Sequence, residues 1–148
     1  MTKMTRTTKT GRKKKVHGKQ PLSLVDQLKI DKDIHVDRTW IRDYVRVIKE
    51  ICKLNHVRVT SIQMCRSTRK GHHYYINIQP PLPADSANRI QWLLGDDCLR
   101  VDYNRARIQS RFNDWNKLFE DAGRYYTTLY GKVPRGTRKN KQGGKNQN

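Results

Sequence analysis

Two β-prone runs separated by a short basic turn constrain the fold of this chain more than any other feature. Residues 56–65 (HVRVTSIQMC) and 72–79 (HHYYINIQ) are both rich in β-branched or aromatic residues, and Arg66 to Gly71 between them is basic and ends on a glycine. Runs of that composition joined by a glycine-containing turn predict an antiparallel hairpin. Pro80, Pro81 and Pro83 follow at once and are expected to end the second strand, because proline cannot donate to a ladder.

The flanks of this hairpin read as helices and further strands. Asp37 is placed to cap a helix running to about Leu54. In it Trp40, Tyr44, Val47, Ile51 and Leu54 recur at helical spacing, and Ile41 and Ile48 widen the stripe. Residues 84–94 predict a second helix, with Gly95 as its C-terminal cap. Upstream, Lys29 to Val36 reads as a short strand with Ile30 and Ile34 inward, although Leu22 to Leu28 also suits a helical turn. Downstream, residues 98–108 (CLRVDYNRARI) read as the last strand. A closing helix is expected from about Arg111 to Ala122, with Phe112, Trp115, Leu118 and Phe119 on one side, and Tyr125, Tyr126, Leu129 and Tyr130 continue the apolar surface. Trp40, Trp92 and Trp115 are expected in the core.

The resulting order, strand, helix, strand, strand, helix, strand, predicts an α+β fold of the ferredoxin-like, RRM-like βαββαβ type. Its four-stranded antiparallel sheet carries helices on one face and leaves the other open. A chain of 148 residues, 34% hydrophobic, suits one such domain.

Charge marks the limits of that domain. Residues 1–20 and 131–148 carry fourteen of the 32 basic residues and none of the 13 acidic ones. Residues 21–130 hold the remaining 18 basic residues and all 13 acids, a net of only +5. The ends are too poor in apolar surface to offset the entropy of ordering. The expected organisation is a basic flexible arm (1–20), a single domain (21–130) and a basic flexible tail (131–148). A near-balanced body with cationic arms is the layout of a protein that lies along phosphates and releases counterions when it does so. Arg12, Lys13, Lys14 and Lys15 in one arm, and Arg135, Arg138 and Lys139 in the other, are the natural phosphate contacts. Neither arm has an apolar face for a membrane, no apolar run is long enough to span one, and no signal-peptide core follows the basic start. Cys52, Cys65 and Cys98 are odd in number and lack paired CxxC spacing, which points to reduced core cysteines and an intracellular setting (cytoplasm, nucleoid or nucleus).

Within the second hairpin strand, alternation puts His72, Tyr74, Ile76 and Ile78 on one face and His73, Tyr75, Asn77 and Gln79 on the other. The second set is an aromatic and polar platform of the kind on which bases stack. Arg100, Arg105, Arg107 and Arg111 are candidates to line a groove along phosphates.

The run S-T-R-K-G-H-H-Y-Y-I from Ser67 to Ile76 resembles the second motif of the archaeo-eukaryotic primase family, and L-R-V-D-Y-N from Leu99 to Asn104 resembles its third. The resemblance spans roughly residues 29–108. It implies that His73 contacts the phosphates of an incoming nucleotide, with Ser67, Arg69 and Lys70 around the same triphosphate, and that Asp102 binds a metal ion. Asp31-Lys32-Asp33 has the D-x-D spacing of that family's first motif, which adds Asp31 and Asp33 to the implied metal ligands. Carboxylates on adjacent strands would hold Mg²⁺ or Mn²⁺ against the phosphates, and no other cofactor is implied. The gap between the second and third motifs is far shorter than in large primases. The N-terminal half-module and a structural zinc site are absent from the sequence.

Other signals carry less. Gly95-Asp96-Asp97 spells the GDD of viral RNA polymerases, but after a helix it reads as a cap with solvated acids. The five histidines lack H-x-x-x-H or H-E-x-x-H spacing, and no Walker loop occurs. The favoured function is a nucleic-acid-binding protein, RNA or DNA, accessory to replication or part of a nucleoprotein complex. Two alternatives stand beside it. One is a minimal metal-dependent primase or nucleotidyltransferase using His73 and Asp102 with Asp31 and Asp33. The other is a structural RNA-binding protein of a ribosome-like particle.

Overall fold

The computed structural model describes residues 21–66, 71–118 and 126–132. Residues 1–20 and 133–148 of the two arms lie outside these ranges, as do Ser67, Arg69 and Lys70 of the basic turn. In chain order the elements are β1 (Val25–Lys32), α1 (Arg38–Leu54), β2 (Arg58–Arg66), β3 (His72–Leu82), α2 (Ala84–Leu93), α3 (Cys98–Gln109) and β4 (Tyr126–Gly131). The fold is α+β, with a four-stranded antiparallel sheet in the order β1-β3-β2-β4. Insertion of β3 between β1 and β2 splits the first βαβ unit, and the element order is consistent with the ferredoxin-like arrangement.

Local chemistry explains why these elements form where they do. Asp37 caps α1 as expected, its carboxylate accepting a hydrogen bond from the Trp40 amide at 2.8 Å. Gly95 ends α2 with a positive φ of 77°, a conformation that suits glycine. Strand β3 continues through Pro80 and Pro81 to Leu82, further than expected. Its pairing with β2 stops at Gln79, so the prolines fall where that neighbour needs no amide.

The core lies between one face of the sheet and the helices. Leu28 and Ile30 of β1, Val59 and Ile62 of β2, and Tyr74, Ile76 and Ile78 of β3 meet Tyr44, Ile48 and Cys52 of α1 and Ala87 and Ile90 of α2. The main helix–sheet packing sets α1 against β2 and α2 against β1. Burying each large apolar side chain contributes about 1.5–3 kcal/mol. The Tyr44 and Tyr74 rings meet edge to face at 5.1 Å, and the Tyr44 hydroxyl donates to the Leu94 carbonyl at 2.6 Å.

Several expectations are corrected. Residues 98–108 are a helix. Asp97 caps it by accepting from the Arg100 amide at 3.0 Å, and its buried positions Val101, Asn104 and Ile108 recur every three or four residues. The alternation of Leu99, Val101 and Tyr103 suggests a strand, but of the three only Val101 is buried. The fourth strand is instead β4, on the outer edge of β2. Residues 111–118, expected to start a closing helix, form turns and irregular structure, and Trp115 reaches the core from them. Strand β1 begins at Val25, so Leu22 to Leu28 is not a helical turn, and Ile34 lies past its end, exposed. The buried seam of α1 follows Tyr44, Ile48 and Cys52, leaving Val47 and Leu54 exposed. Trp92 and Cys98 are exposed rather than in the core. No helix among the described residues is long and apolar enough to cross a membrane.

Candidate nucleic-acid interface

Strand register fixes what the sheet offers on the face away from α1 and α2. Opposite pairs in an antiparallel ladder point the same way, so side chains line up in rows across the strands. The first row reads Asp31, His73, Cys65, Tyr126 across β1, β3, β2 and β4. The second reads Lys29, Tyr75, Gln63, Thr128, and the third places Gln27, Asn77 and Ser61 side by side. His73, Tyr75, Asn77 and Gln79 thus share the helix-free face, while His72, Tyr74, Ile76 and Ile78 turn to the core, as alternation predicts.

This face is polar, aromatic and internally braced. The Gln27 amide donates to Asn77 Oδ1 at 3.1 Å, and Asn77 Nδ2 donates to Ser61 Oγ at 2.7 Å. Arg58 donates to Gln79 Oε1 at 2.9 Å. The rings of Tyr75 and Tyr126 meet edge to face with centroids 5.6 Å apart, and Tyr126 is 47% exposed. His73 Nε2 stands 3.5 Å from Asp31 Oδ1 across the β1–β3 ladder. Burial raises the Asp31 carboxyl above its ordinary value, with His73 and Arg100 pulling the other way. His73 is only 3% exposed, and its Nδ1 is buried with no hydrogen-bond partner among the described residues, so the face is closed at this position. Gly71 leads into this strand with φ of 117°, and a Cβ there would run into the Lys32 carbonyl, so the close approach of the turn needs glycine.

The structure separates the remaining candidates. Asp31 and His73 come together, but Asp102 does not join them. It lies on the solvent side of α3, where its carboxylate pairs with Arg105 at 3.7 Å and both side chains are well exposed. Asp33 is exposed beyond the end of β1. Among the described residues no group of three or more His, Cys, Asp or Glu side chains is placed to hold a metal ion. The expected metal set of Asp31, Asp33 and Asp102 is therefore not assembled, because the segment expected to bring Asp102 in as a strand folds as a helix.

Arg100 is also corrected, from a phosphate contact to a buried strut. It is 4% exposed and ion-pairs with the buried Asp96. Its guanidinium donates to the carbonyl of Lys29 at 2.9 Å, the carbonyl of Lys117 at 3.1 Å and Asn116 Oδ1 at 2.7 Å. Asp96 accepts from the Asp31 amide at 2.8 Å, and Gln91 Oε1 accepts from the Lys29 amide at 3.0 Å. These side chains satisfy the outer edge of β1, which explains why the fourth strand adds to β2 instead. Asp96 is thus not a solvated acid. Burial pushes its carboxyl up to about 6, against the pull of Arg100. Arg105 is exposed on α3, and the Arg107 guanidinium lies 6.0 Å from the centroid of the Tyr103 ring.

Sequence reasoning misses one set of cations. Arg38, Arg42 and Arg46 recur every four residues along α1, and all three are exposed. The spacing is plain in the sequence, but the apolar positions interleaved with it point the helix toward the core and draw attention from its other side.

Comparison with protein-family models, curated proteins and solved structures finds no match to this chain.

Proposed function

We propose that this protein binds single-stranded nucleic acid across the helix-free face of its sheet, with its acid-free ends holding the phosphate backbone, as an accessory of replication or a subunit of a nucleoprotein complex. The observation that carries this reading is the row arrangement of that face, where Tyr75 and Tyr126 stand among Lys29, Gln63, Asn77 and the Asp31–His73 pair. Aromatic rings set in a polar sheet give bases something to stack on, and neighbouring amides offer hydrogen bonds to base edges. The exposed, ion-paired Asp102 supports binding without nucleotidyl transfer. The three cysteines form no disulfide and two of them are buried, which supports an intracellular setting.

The test is fluorescence anisotropy of the full chain with labelled single-stranded DNA and RNA, comparing wild type with Tyr75→Ala/Tyr126→Ala. Stacking contributes about 1–3 kcal/mol per base, roughly fivefold to 150-fold in Kd. A loss in that range, in a variant that still melts cooperatively, supports the reading. Affinity equal to wild type, or tighter binding to duplex than to single strands, overturns it.

A further inference from the structure

A groove of about 500 Å³ opens on the opposite side of the sheet, between α1 and the β2–β4 edge. Its floor is apolar, formed by Ile41 and Val45 of α1, Met64 of β2 and Leu129 of β4. Leu129 reaches it through a bulge. Ile62 pairs with Tyr130 and the adjacent Gln63 with Thr128, so Leu129 is the extra residue and β4 is bent at that point.

Four guanidinium groups surround this floor, from Arg38, Arg42, Arg46 and Arg66, and no acidic residue lines it. Arg38, Arg46 and Arg66 have no ion-pair partner among the described residues, and Arg42 has only a loose exposed contact with Asp43 at 3.9 Å. An apolar slot edged by four arginines, on a chain that is already strongly cationic, selects for a ligand with a flat apolar body and regularly spaced anions. The three α1 arginines lie about 6 Å apart along the helix axis. That repeat lets successive guanidinium groups meet successive phosphates of an extended strand, in the bidentate geometry that favours arginine over lysine. The cationic row continues beyond the slot. Lys49 lies over the Tyr130 ring at 4.2 Å, and Lys49, Lys53 and Arg58 edge a neighbouring groove of about 670 Å³, with Glu50 the one acid lining it.

We propose that this groove seats one base of a single-stranded nucleic acid, with Arg38, Arg42, Arg46 and Arg66 holding the flanking phosphates. The inference rests on the function proposed above and adds a second binding surface, so that a bound strand passes around the β4 edge from the sheet face to α1.

The test measures binding of a labelled oligothymidylate to the full chain over a salt series, for wild type, Arg42→Glu/Arg46→Glu and Arg42→Lys/Arg46→Lys. Both positions are exposed, so the fold is expected to tolerate the changes, which thermal melts of the variants check. The double reversal is expected to weaken binding at least tenfold and to lower the magnitude of the log–log salt slope by about 1.4, at about 0.7 for each phosphate no longer neutralised. The lysine pair keeps the slope and gives up only part of the affinity. A Val45→Trp reporter in the slot is expected to change its fluorescence when the strand binds. If wild type binds but the reversal leaves affinity and slope unchanged, the groove is not a strand site and the sheet-face reading stands alone. If wild type binds no strand, both fail. If an acidic polypeptide such as polyglutamate perturbs the Val45→Trp reporter and the oligonucleotide does not, the occupant is a protein and the proposal is overturned.

Discussion

Replacing Arg100 by methionine separates a structural arginine from a phosphate-binding one. Methionine keeps much of the stem volume but removes the ion pair with Asp96 and the hydrogen bonds to the Lys29 and Lys117 carbonyls and to Asn116. Breaking a buried pair by deleting one partner typically costs about 3–5 kcal/mol, because the other charge stays buried without compensation. A domain of this size has on the order of 5–15 kcal/mol in total, so the loss takes a large share of it. With a urea m-value of about 2 kcal/mol/M, the midpoint should fall by about 2 M. Denaturant melts followed by tryptophan fluorescence measure this directly, since Trp115 is buried in the core. Oligonucleotide affinity per folded molecule should not change. A midpoint shift under about 0.5 M combined with weakened binding would refute the reasoning and return Arg100 to the phosphate contacts.

Three further outcomes are expected. Gly71→Ala places a Cβ against the Lys32 carbonyl at a φ of 117° and should cost on the order of 1–3 kcal/mol, read as a lower urea midpoint. Tyr44→Phe leaves the Leu94 carbonyl without its hydroxyl donor and should cost about 1–3 kcal/mol in the same assay. The pH dependence of stability has two opposing parts. Burial, with Arg66, His35 and His73 nearby, holds the His72 imidazole below its ordinary 6.5, so the unfolded chain takes up that proton first and stability falls as pH drops below 6.5. Asp96, raised by burial to about 6 from 3.8, binds its proton first in the folded state, so its contribution rises as pH falls from about 6 toward 3.8. His72→Phe should therefore flatten the loss of stability just below pH 6.5, as measured by melts across a pH series, and a curve parallel to wild type would contradict the burial argument.

What was legible in the sequence was what local chemistry decides. The β2–β3 hairpin, the Asp37 cap of α1, the Gly95 stop of α2 and the two faces of β3 all follow from neighbours within a few residues. Helix α3 was not legible because its inward positions include Arg100 and Asn104, whose burial makes sense only once Asp96, Asn88 and Asn116 are in place around them. Strand β4 was hidden for a related reason. It is short and mostly exposed, and its site on β2 follows from the closure of the β1 edge by Gln91, Asp96 and Arg100. Within the candidate site, cross-strand register brought Asp31 to His73, whereas Asp102 went elsewhere with its helix. The arginine row of α1 was readable at four-residue spacing, but the slot it surrounds needed the β4 bulge to be seen.

The most direct measurement of the central claim is the salt dependence of single-strand binding by the full chain, beside a chain lacking residues 1–20. Each neutralised phosphate adds about 0.7 to the magnitude of the log–log slope for single strands. A steep slope that falls by several units with removal of the eight cations of the N-terminal arm is the predicted result. A shallow slope indifferent to that deletion would contradict the account.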